Sequence, residues 1–77
     1  MKKKRFIKLL MGAGIPRDTA ALAAKAAVIV GAPKAVVLAN IVFMYAGFIS
    51  LGYSVEAVNH GLLKATEEIL QGGTCNA

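Results

Sequence analysis

The residues that could take part in chemistry are few, and the first of them is the single histidine, His60. Glu56 lies four residues before His60 and Lys64 four residues after it, so a helix would place all three side chains on one face. A general base needs a nucleophile or a substrate within hydrogen-bond reach, and the sequence suggests no serine or cysteine partner for His60. The pattern is typical of a solvated charged face, and we predict no catalytic residue and no enzymatic activity.

The second reactive side chain is Cys75, the only cysteine of the chain. One cysteine cannot form an internal disulfide, and the sequence contains no spacing of zinc ligands. Gly12 and Gly14 are not followed by the lysine and hydroxyl residues of a phosphate-binding loop. We therefore expect no metal site and no bound cofactor.

Charge divides the sequence into a basic part and an acidic part, with an uncharged stretch between them. Before residue 35 there are eight lysines and arginines against one acidic residue, Asp18, which gives a formal charge of +7. After residue 55 there is one lysine, Lys64, against three glutamates, which gives −2. The charge of the chain is therefore strongly asymmetric along the sequence.

Most of the positive charge lies at the N-terminus, where it predicts contact with an anion. Either the headgroups of anionic lipids or the phosphates of a nucleic acid would suit it. Phe6 is the only aromatic residue among these cations, so stacking on nucleic-acid bases is not supported. The predicted anion-contact residues are Lys2, Lys3, Lys4, Arg5 and Lys8.

The elements that must position these residues are helices, and we predict one small all-α domain of three to four short helices over residues 1–77. Pro16 and Pro33 suit helix starts, where the missing N–H would have no partner, and Ser54 suits an N-cap. The predicted segments are a basic amphipathic segment at 1–12, an alanine-rich helix at 16–31, a hydrophobic helix at about 34–52, an amphipathic helix at 55–71 and a tail at 72–77.

The hydrophobic helix belongs to a run of 21 uncharged residues, Ala35 to Val55. Apolar side chains on all its faces predict burial all round, in protein or in lipid. As one helix the run would extend about 31 Å, close to the hydrocarbon thickness of a bilayer. The basic excess before it predicts a membrane span with residues 1–34 cytoplasmic and residues 56–77 across the membrane. The alternative is a soluble, cytoplasmic bundle with this helix in its centre.

Asn40 is the strongly polar residue inside this run, and a buried amide must find a hydrogen-bond partner. It would then either fix the register between packed helices or bond to the backbone or to a water molecule. Ala39, Ala46 and Gly47 are small enough to let another helix approach closely. These four residues form the predicted helix–helix interface, with a second copy of the chain or with another helical protein as partner.

Residues 4–20, KRFIKLLMGAGIPRDTA, resemble the start of small helical proteins that are encoded by phages and prophages of Gram-positive bacteria. The resemblance implies an accessory protein without known catalysis. In layout alone the chain is also similar to holins and conjugative pilins, which combine hydrophobic helices with basic loops.

Two functions are compatible with these features. The first is a non-catalytic structural or interaction subunit that associates with membrane lipid, or with copies of itself, through its hydrophobic helices. The alternative is a soluble phage accessory protein that binds nucleic acid or a protein partner through its basic N-terminus. Monomeric behaviour in plain buffer would favour the second.

Overall fold

The computed structural model describes residues 1–72, which form four α-helices joined by short loops. Helix α1 comprises Lys3–Gly12, α2 Arg17–Val30, α3 Lys34–Ser50 and α4 Val55–Leu70. The prediction of an all-α fold with three to four short helices is confirmed. The predicted tail, apart from Gly72, and with it Cys75, lies outside the described residues.

The starts of the helices follow from local sequence chemistry. Pro16 and Pro33 lie immediately before α2 and α3 with φ near −60°, the value that their rings impose. Before α4, the Ser54 hydroxyl accepts a hydrogen bond from the Ala57 backbone N–H at 3.1 Å. This N-cap satisfies one of the N–H groups that a helix start leaves without a partner.

The other three helices all pack against α2, whose buried side chains are small. Its alanines at positions 20, 23, 24, 26 and 27 are all buried, so neighbouring helices approach its backbone closely. Phe6 and Leu10 of α1 are completely covered there, together with Ile15 of the following loop. The core therefore lies between α1 and α2, and Tyr45 of α3 closes it from the other side.

Helix α3 is fastened to this core by a hydrogen bond from the Tyr45 hydroxyl to the carbonyl oxygen of Gly14, at 3.2 Å. Gly14 adopts φ +109°, a value that side chains rarely permit. A Cβ atom at this position would also lie 2.9 Å from the Tyr45 oxygen. The loop between α1 and α2 therefore needs glycine here, both for its turn and for the approach of α3.

Residues 1–72 do not by themselves bury the hydrophobic helix all round, as a helix in the centre of a bundle would be. Within Lys34–Ser50 only Tyr45 is buried, and half-buried residues such as Ile41 share its side of the helix. Phe43 on the other side is 83% exposed. The reason is geometric, because α1, α2 and α4 all pack on one side of α3 and no element of residues 1–72 covers the other.

The prediction of a membrane-spanning segment at 35–55, with the two charged ends on opposite sides, also requires correction. None of the helices in residues 1–72 has the length and apolarity needed to cross a membrane. Helix α3 has 17 residues and therefore extends about 25 Å, less than the ~30 Å of a bilayer core. It ends at Ser50 because the chain turns at Gly52, where φ is +102°. The uncharged run is thus divided between α3, a turn and the first residue of α4.

Candidate interaction surface

The histidine and its charged neighbours lie together on α4, as their spacing predicts. Glu56, His60 and Lys64 are all exposed, and none of them lines a groove described below. Among residues 1–72, no three His, Cys, Asp or Glu side chains come close enough to hold a metal ion. This face of α4 has the character of a solvated charged surface.

An exposed apolar surface follows the outer side of α3. Phe43 lies at its centre, and Val36 and Leu51 at its ends are 52% and 76% exposed. Residues three or four positions apart share a helix face, so these side chains form one continuous stripe. We call this stripe the α3 outer face, and it comprises Val36, Ala39, Asn40, Phe43, Ala46, Gly47 and Leu51.

The predicted helix–helix interface lies on this surface. Asn40, Ala39, Ala46 and Gly47 are all exposed members of the α3 outer face. A Cβ atom added to Gly47 would have no neighbour within 4 Å, so the space above the helix is open. The Asn40 amide is exposed rather than buried, and it would need a protein partner only after another surface had covered this face.

The predicted anion-contact residues lie on α1 and just before it. Lys2, Lys3, Lys4, Arg5 and Lys8 are all exposed. We call this group the α1 cationic face. Neither α1 nor α3 contains an acidic residue, so nothing on these two helices neutralises it.

A groove of about 810 Å³ separates α1 from α3 and connects the two surfaces. Arg5, Lys8 and the partly exposed Leu9 line it on the α1 side. On the α3 side it is lined by Ala39 and Val42 among others. The α1 cationic face and the α3 outer face therefore border one open groove and together form a surface that is both cationic and apolar.

Arg17 belongs with the cations of α1, although it was not among the predicted contact residues. It lines a groove of about 590 Å³ between α1 and α2, together with Lys3, Lys4 and Lys8. The signal that could have identified it is the short loop between α1 and α2, which makes the two helices neighbours. The number of residues between Arg17 and the lysines of α1 does not by itself show that these side chains are close.

The three glutamates lie on another flank of the molecule from the α1 cationic face. Helix α4, with Glu56, Glu67 and Glu68, packs against α2 and α3, and α1 does the same. Within residues 1–72, however, α1 and α4 do not contact each other. The separation of charge along the sequence is therefore also a separation in space.

A third groove, of about 330 Å³, lies between the C-terminal half of α3 and the first half of α4. Phe48 and Tyr53 form one wall, with their rings edge to face and 5.3 Å between centroids. The small residues Ala57, Gly61 and Ala65 of α4 lie opposite. No charged side chain lines this groove, so it extends the apolar character of α3 towards α4.

Comparison of the chain with protein-family models, with curated proteins and with solved structures finds no match. Its function must therefore be inferred from the surfaces of the molecule itself.

Proposed function

We propose that this protein is a non-catalytic interaction subunit that associates with a partner through the α3 outer face. The observation that carries the proposal is the exposure of Phe43, 83%, at the centre of an uncharged stripe. Large apolar side chains exposed side by side on one face often mark interaction sites, because monomeric proteins rarely expose contiguous apolar patches larger than a few hundred Å².

The energetic reason is the hydrophobic effect. Complete burial of a Leu or Phe side chain contributes about 1.5–3 kcal/mol. Phe43 and Leu51 retain most of that free energy for a partner, because the fold leaves them largely exposed. The absence of charge on the stripe lowers the cost of removing it from water.

A non-catalytic role is supported by the surroundings of the only histidine. His60 is exposed beside Glu56 and Lys64, and it lines none of the three grooves described above. An accessory role is also supported by the resemblance of residues 4–20 to phage and prophage proteins, which implies an accessory protein without known catalysis.

The experiment is to follow association of the full chain and of the double variant Phe43→Ser/Leu51→Ser, by cell fractionation and by sedimentation velocity. Wild-type protein should be recovered as an oligomer or with membranes, and the variant as a free monomer. The matched control is Ile29→Ser, a position that is 58% exposed and lies one helical turn after exposed Lys25 on α2.

The control protein should behave as wild type, and circular dichroism should show equal helix content in all three proteins. A wild-type protein that is monomeric and free of membranes would contradict the proposal. So would a control that loses association as completely as the double variant does.

A second candidate function is the binding of nucleic-acid phosphates by the α1 cationic face. It is favoured by the groove where Lys3, Lys4, Lys8 and Arg17 converge. Phe6, the only aromatic residue of α1, is completely buried and cannot stack on bases. Binding would therefore depend on phosphates alone and would weaken steeply with salt.

A further inference from the structure

We infer that the partner of the α3 outer face is the surface of an anionic lipid bilayer, on which the protein lies with α1 and α3 parallel to the membrane plane. This inference rests on the proposed function, because it names what covers the same face. It concerns attachment to one surface of the membrane and not passage through it.

The first support is that cationic and apolar side chains share one side of the molecule. Arg5 and Lys8 line the same groove as Leu9, and across that groove lie Ala39 and Val42 of α3. Helices that lie in a membrane interface combine these two kinds of residue, with apolar side chains about 5–10 Å deep and cations at the level of the headgroups. Beyond the groove, Phe43 is the side chain placed to enter the acyl region.

The second support is charge complementarity. From residue 1 to residue 55 the sequence contains one acidic residue, Asp18, and eight cations. The three glutamates lie on α4, which does not contact α1. A negatively charged surface can therefore approach the α1 cationic face without meeting a carboxylate on α1 or α3.

The third support is that other occupants account for only half of this surface. Nucleic acid would neutralise the α1 cationic face, but its phosphates would leave Phe43 and Leu51 in water. A second copy related by two-fold symmetry would cover the α3 outer face. An interface wide enough to include the α1–α3 groove would present the same two helices, and neither carries an acidic residue that could pair with Arg5 and Lys8. An anionic bilayer provides acyl chains for one face and headgroups for the other.

The experiment is co-sedimentation of the full chain with vesicles of phosphatidylcholine, alone or mixed with phosphatidylglycerol. We expect binding to the mixed vesicles and little binding to phosphatidylcholine alone. The triple variant Lys4→Gln/Arg5→Gln/Lys8→Gln should bind the mixed vesicles about 100-fold more weakly, at roughly fivefold for each cation removed. The control is Lys25→Gln/Lys64→Gln, which removes two exposed cations from α2 and α4. It should weaken binding to the mixed vesicles by less than roughly fivefold for each cation removed.

Insertion is measured with a single reporter, since the sequence contains no tryptophan. Phe43→Trp should show blue-shifted fluorescence and quenching by lipids that carry bromine on their acyl chains. Ile29→Trp, on the outer side of α2, should show neither. Equal quenching of both reporters, or of neither, overturns the inferred orientation.

Failure of this inference is distinguishable from failure of the proposed function. Suppose that Phe43→Ser/Leu51→Ser abolishes oligomers in buffer while the wild-type protein ignores anionic vesicles. The α3 outer face is then an interface between protein copies, and the bilayer inference is overturned while the proposed function stands. The protein could instead bind double-stranded DNA but not vesicles, and lose the DNA binding in the triple variant. That result overturns the bilayer inference in favour of nucleic acid.

Discussion

The pair α1–α2 and the pair α3–α4 are both rich in apolar residues, yet they bury them to very different extents. In the first pair, Phe6 and Leu10 are completely covered because alanines of α2 let α1 approach closely. In the second pair, Tyr45 and Thr66 are the buried residues, while Phe43 and Leu51 remain in water. The apolar side chains of the first pair are thus buried where small neighbours let another helix approach, and the second pair leaves apolar side chains exposed.

The largest expected effect is that of Phe6→Ala, compared with Phe43→Ala. Removing a completely buried Phe ring costs about 3–5 kcal/mol, a large share of the ~4–11 kcal/mol that holds a chain of this size together. The same change at Phe43 should alter the free energy of unfolding by no more than about 0.5 kcal/mol. Urea denaturation monitored by circular dichroism measures both. Equal losses in the two variants would mean that the outer side of α3 is covered within the chain.

A smaller effect is expected at Gly14, whose carbonyl oxygen accepts the hydrogen bond from Tyr45 of α3. In Gly14→Ala the methyl group must occupy a backbone conformation with φ +109° and displace the Tyr45 hydroxyl, at a cost of about 1–3 kcal/mol. The matched change Gly47→Ala lies in the last turn of α3, where the space around the helix is open, and should stabilise the protein by up to about 0.5–1 kcal/mol. Thermal unfolding should therefore shift in opposite directions, and a shift in the same direction would contradict the role of Gly14.

The smallest effect concerns the start of α4. Ser54→Ala removes the hydroxyl that accepts the Ala57 N–H and should destabilise the protein by about 1 kcal/mol. Ser50→Ala removes the same group from the last residue of α3, where it cannot cap a helix start, and should be nearly neutral. Hydrogen exchange of the first amides of α4 would locate the effect. Unchanged protection of Ala57 in Ser54→Ala would show that the cap contributes nothing.

The helices could be predicted because their start signals are local. Pro16, Pro33 and Ser54 each fix the conformation of a few neighbouring residues, and the structure begins three helices directly after them. The charged face of α4 could likewise be predicted from the four-residue spacing of Glu56 and His60. Such features depend on contacts within one turn of the chain.

The surroundings of α3 could not be predicted, because they depend on how many helices are available to cover it. A run without charge shows that every side of a helix can tolerate burial, but not that each side has a neighbour. For the same reason Asn40 was expected to be buried and is exposed. The position of Arg17 beside Lys8 depends on the fold of the loop between α1 and α2, which also lies beyond single-helix reasoning.

The separation of α1 from α4 gives the molecule an electric dipole moment. Its principal extents are 32, 30 and 19 Å, and a surface field exerts a torque on a body of this size that carries opposite charges on separate flanks. Near a negative surface this torque turns α1 towards the surface and α4 away from it before any atoms touch. At physiological salt the field decays over about 8 Å, so the rotation occurs only in the last steps of approach. Lower salt would extend that range and raise the fraction of encounters that begin in a productive orientation.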